Sequence, residues 1–205
     1  MSFSVYARKV RDPALPLRRR VSALRSCAQL YRPIGFHATL AYLRAKAGPY
    51  ERDEAALLRA LVLIETSRAA WHAAIRAYDE TRREAKLRGH RTPRSPGPFW
   101  PAVWYGAPEE AALHAVQYWH RHRLPALLTP EDETAHALAR CVERCLASQG
   151  VLDAAEQEAL RAGKEEMERR QRNRPPDAEY FRTRDLLTLT ALLGTATRRH
   201  SGGSS

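Results

Sequence analysis

Seven residues at strict four-and-three spacing constrain this chain more than any other feature: Leu57, Leu61, Ile64, Arg68, Trp71, Ile75 and Tyr78. A repeat of that kind returns to one face of a 3.6-residue helix for about six turns and fits no strand. Asp53 stands where an N-cap is needed, and the pattern predicts a helix from there to Leu87, closed at Gly89. The same spacing recurs earlier. Leu17, Val21, Leu24, Ala28 and Tyr31 predict a helix that Pro33 and Gly35 break. Phe36, Leu40, Leu43 and Ala47 predict a second, stopped by Gly48 and Pro49. No run alternates strongly enough to be a strand. The expected fold is therefore all-α: an antiparallel three-helix bundle over residues 17–89, preceded by an irregular arm at 1–16.

Residues 90–108 change character. The stretch HRTPRSPGPFWPAVWYGAP holds prolines among Phe99, Trp100, Trp104 and Tyr105. Proline forbids both a helix interior and a central strand, so an extended segment laying its aromatics on a surface is predicted. A C-terminal helical region follows over 109–195. Its helices are expected at Pro108–Arg123, at Thr129–Gln149 with Thr129 as cap and Pro130 at the first helical position, from Asp153 to Arg174, and at Ala178–Leu193. Residues 196–205 read as a flexible tail.

Charge narrows the function classes. The 205 residues carry 34 Lys and Arg against 23 Asp and Glu, a net charge of +11, and only four of the cations are lysine. Arginine pairs bidentately with carboxylate and phosphate, so acidic protein surfaces, anionic lipid and nucleic acid are the candidate partners. Arg82, Arg83, Lys86, Arg88, His90, Arg91 and Arg94 surround the end of the long helix, and Arg169, Arg170, Arg172 and Arg174 end a later one. Cations are favoured at helix C-termini in any case. Arg18, Arg19 and Arg20 open a helix instead, with Arg25 and Arg32 further along, so this group is the better candidate for a binding patch. Arg68 occupies an apolar-stripe position. Burying a bare guanidinium is costly, so it must reach solvent at the bundle edge or pair with an acid.

Chemistry-bearing patterns are sparse. There is no P-loop, no G-x-S-x-G and no G-x-G-x-x-G, and no enzyme or cofactor is expected. Cys141 and Cys145 share a helix face beside an apolar stripe, where cysteine packs as a small hydrophobe. His114, His120 and His122 lack the H-E-x-x-H spacing of a zinc site. Three cysteines make no disulfide framework, and a reducing compartment is the default. No run approaches the length of a membrane span. Up to Glu51 the only acid is Asp12, an Arg-rich, acid-poor N-terminus compatible with mitochondrial import.

Leu30-Tyr31-Arg32, the Arg-rich first helix and a second helix carrying Phe36 and Arg44 resemble the LYR-motif proteins of mitochondria, over residues 17–80. The family's tripeptide lies early in its first helix, whereas Pro33 places this one at the end; Ala23-Leu24-Arg25 takes the motif's place in another register. The resemblance implies a three-helix bundle acting as a non-catalytic accessory or assembly subunit of a respiratory complex or the ATP synthase. It further implies docking of acyl carrier protein through Arg25 or Arg32 with Arg44. The expected partner-binding residues are thus Arg18, Arg19, Arg20, Arg25, Arg32, Arg44 and Arg68, with Phe99, Trp100 and Trp104 as anchors in other subunits. The alternative is a cytoplasmic, nucleic-acid-binding protein.

Overall fold

A computed structural model describes residues 2–92, 105–172 and 174–197, and all its regular structure is helical. Phe99, Trp100 and Trp104 lie outside the described residues. The chain divides into two compact units, Met1–Pro108 and Glu109–Ser205.

The first unit contains α1 (Phe3–Arg11), α2 (Leu17–Leu30), α3 (Phe36–Ala47) and α4 (Glu54–Leu87). The expected irregular arm is corrected: residues 3–11 form a helix. Phe3, Ala7 and Val10 recur at the four-and-three spacing and are buried, and α1 packs on both α2 and α4. α2 also meets α3 and α4, and α3 packs on α4. Leu24, Leu43, Leu57, Leu61 and Ile64 are fully buried, each contributing roughly 1.5–3 kcal/mol. Asp53 caps α4 by accepting a hydrogen bond from the Ala55 N–H at 2.8 Å. Burial along α4 is uneven. Its buried positions end at Ser67, and Trp71, Ile75 and Tyr78 continue the stripe only half-buried.

A polar knot closes this unit. Tyr31 Oη lies 2.7 Å from Ser67 Oγ, which also accepts from the Tyr105 N–H at 2.9 Å. The Tyr105 ring stacks 4.9 Å from Tyr42, and its hydroxyl lies 3.2 Å from Thr39 Oγ1. Buried hydroxyls need such partners, since each left unsatisfied costs about 1–3 kcal/mol.

The second unit contains α5 (Pro108–His122), a 3-10 turn at Leu124–Ala126, α6 (Glu133–Ala147), α7 (Ala154–Gln171) and α8 (Ala178–Ala196). α7 packs on α6 and α8. Asp132, not Thr129, caps α6, accepting from the Ala135 N–H at 3.1 Å. The predicted start is therefore three residues early, because Thr129 is used differently: its carbonyl accepts from the Asp132 N–H. Asp153 and Glu156 form a capping box on α7, and Asp177 caps α8. Gly150 (φ +100°) brings the chain so near α8 that a Cβ would stand 3.0 Å from the Ala196 carbonyl. Asp132 is the electrostatic centre of this unit. It pairs with Arg170 at 3.1 Å and Arg182 at 2.5 Å, and Arg182 also bonds the Leu127 carbonyl. Burial pushes the Asp132 carboxyl up, but Arg182, the Ala135 N–H and Arg170 together hold it below its ordinary range.

Candidate partner-binding surface

The two units differ sharply in charge. Residues 1–108 hold 20 Lys and Arg against 8 Asp and Glu, a net +12. Residues 109–205 hold 14 against 15, a net −1. The whole excess therefore belongs to the first unit.

Within it, tertiary structure sorts the arginines. Arg20 is only 3% exposed and is corrected from partner-binding to structural. Its Nε donates to the Val10 carbonyl at 2.7 Å and its Nη1 to Glu54 Oε1 at 2.6 Å. Val10 lies in the last turn of α1, where carbonyls lack helical N–H donors and a cation is favoured. Arg44 is exposed but already bonded to Glu51. Arg68 is half-buried and forms no ion pair with a described residue; its guanidinium lies 4.6 Å over the Phe3 ring, a cation–π contact worth about 0.5–2 kcal/mol. Arg18, Arg19, Arg25 and Arg32 are exposed and form no ion pair with a described residue.

Arg18 and Arg25 share a face of α2. Seven residues of helix separate them by about 10.5 Å, and Ser22 sits between them at i+4 and i−3. Together with Leu17, Val21 and Glu51 they line an open groove of about 620 Å³. Burial pushes the Glu51 carboxyl up, but Arg44, its own backbone and Tyr50 bring it below the ordinary value, so it stays ionised and paired. The groove thus presents an apolar floor, a hydroxyl and two unpaired guanidiniums. Leu17 and Val21, expected only as apolar-face positions of this helix, also form the groove floor, and Ser22 is legible only through the i, i+4, i+7 spacing of Arg18, Ser22 and Arg25.

The tripeptide Leu30-Tyr31-Arg32 divides by direction. Tyr31 is buried on Ser67, Leu30 is 51% exposed, and Arg32 is exposed. The arginine cluster ending α7 is largely neutralised: Arg169 and Arg170 pair with Glu166, Arg170 also with Asp132, and Arg174 with Asp177. The basic end of α4 remains exposed at Arg83, Lys86 and Arg91, with Arg88 3.6 Å from Glu84.

Burial raises all three thiols, Cys27 to about 12 and Cys145 to about 11, which disfavours the thiolate needed for nucleophilic or metal chemistry. Among the described residues no three His, Cys, Asp or Glu side chains group as a metal site. No helix among them is long and apolar enough to cross a membrane. No protein-family model, characterised protein or solved structure matches this chain.

Proposed function

We propose that this chain is a non-catalytic accessory or assembly subunit of a larger, mitochondrial complex of the respiratory-chain or ATP-synthase kind. In this reading α2, α3 and α4 form the antiparallel three-helix bundle, with α1 added to it. An acidic partner surface docks along the exposed face of α2. The observation that carries the reading is the pair Arg18 and Arg25, unpaired and exposed on one face of a unit with net charge +12. Carboxylates of a partner would complete the ion pairs these arginines lack inside the chain. Arg19 and Arg32 extend the field that steers such a partner. Acyl carrier protein, strongly acidic, is one partner of this chemistry. Native mass spectrometry of the chain purified from mitochondria tests the proposal. A stoichiometric protein partner is expected, and a clean monomer with nothing bound contradicts it.

One observation favours a second reading, nucleic-acid binding: residues 1–50 carry ten cations against the single acid Asp12. Affinity for RNA or DNA that falls steeply with salt would select it.

A further inference from the structure

We propose that the end of the α1–α2 hairpin seats on an anionic phospholipid surface. The joint between the helices is Asp12 followed by an exposed apolar knuckle: Pro13, Ala14 and Pro16 are exposed and Leu15 is half-buried. It is also pre-formed. Asp12 Oδ1 accepts from the Ala14 N–H at 3.0 Å, the Leu15 N–H donates to the Asp12 carbonyl at 3.2 Å, and two prolines fix their own φ angles.

Within one helical turn of this knuckle stand Arg8 and Lys9 at the end of α1 and Arg18 and Arg19 at the start of α2, all exposed. The acids nearby are already engaged. Glu65 is held bidentately by Arg11, Glu54 by Arg20, and Asp12 by the Ala14 N–H. Four cations therefore stand around a tip whose single charge is the Asp12 carboxylate, a local excess of three positive charges. Stable attachment to a bilayer surface needs two signals, apolar insertion and basic residues facing anionic headgroups, and this tip presents both. A phosphodiester backbone would use the cations and leave the proline-rich tip without a role. This inference rests on the charge of the first unit and not on the docking of a protein partner in the α2 groove. Its decisive residues, Arg8, Ala14 and Arg19, do not line that groove.

Co-sedimentation of the full chain with phosphatidylcholine vesicles, with and without phosphatidylglycerol, tests it. The chain should pellet only with the anionic vesicles, and less as salt rises. Arg8→Glu with Arg19→Glu should weaken this by roughly thirtyfold or more, since each basic residue near an anionic surface contributes about a factor of five. Arg25→Glu, which tests the protein groove, should change it far less. Ala14→Cys gives a direct readout of insertion. The native cysteines are buried, so a polarity-sensitive dye will label position 14 selectively. Its emission should shift blue on anionic vesicles alone. A chain that stays in the supernatant with anionic vesicles, or a dye whose emission does not move, overturns the proposal.

Discussion

Arg20 and Asp132 hold their respective units in the same way, each by satisfying charge and backbone from several directions at once. Replacing Arg20 with Met keeps the length of the side chain and removes its donors. The Val10 carbonyl then loses its partner inside the fold, whereas the exposed Glu54 turns to water. The expected cost is about 2 kcal/mol, read as a lower urea midpoint. Asp132 makes a pH-dependent contribution. Its folded pKa lies below the ordinary 3.8, so the stabilisation is complete above that value and is lost as pH falls through the folded pKa. Urea midpoints measured from neutral pH to below about pH 4 should therefore fall less for Asp132→Asn than for the parent chain. Neither role could be read from the sequence. Arg20 finds its partners 10 and 34 residues away, and Asp132 meets arginines 38 and 50 residues away. A run of three arginines looks alike at every position until a fold buries one of them.

At the level of elements, periodicity carried most of the information. The long helix, its Asp53 cap and the Gly48 stop follow directly from residue type and spacing. α1 did not, although Phe3, Ala7 and Val10 hold the right spacing. It is nine residues long, its N-cap Ser2 makes no side-chain capping bond, and its first turn has no acid. Local signals of helix are therefore weak, and packing on α2 and α4 stabilises it instead. α1 also supplies the partner of Arg68, the Phe3 ring. Phe3→Ala should destabilise the chain by about 3 kcal/mol. It should also expose Cys27, whose Sγ lies 3.9 Å from the Phe3 carbonyl. In the parent chain none of the three buried thiols should react rapidly with an aromatic disulfide reagent, whereas in Phe3→Ala one should.

For the whole molecule, the decisive property is how charge divides. A net +11 suggests a uniformly basic protein, yet the first unit carries +12 and the second −1. The reason is composition by segment: acids on α6 to α8 match the arginines there and pair with them, whereas residues 1–50 have almost none. A polypeptide of residues 1–108 should be retained on a cation exchanger at neutral pH, and one of residues 109–205 should pass through. The total and the clusters were legible in the sequence; which arginines remain unpaired was not, because ion pairs such as Arg44 with Glu51 are made by the fold. The central claim is that Arg18 and Arg25 on α2 hold an acidic protein partner. The most direct measurement is the affinity of the partner recovered by native purification for the parent chain and for Arg18→Glu/Arg25→Glu. Both positions are exposed, so the variant should keep its helicity while losing at least a hundredfold in affinity, mostly through faster dissociation. Unchanged affinity in the folded variant would contradict the account.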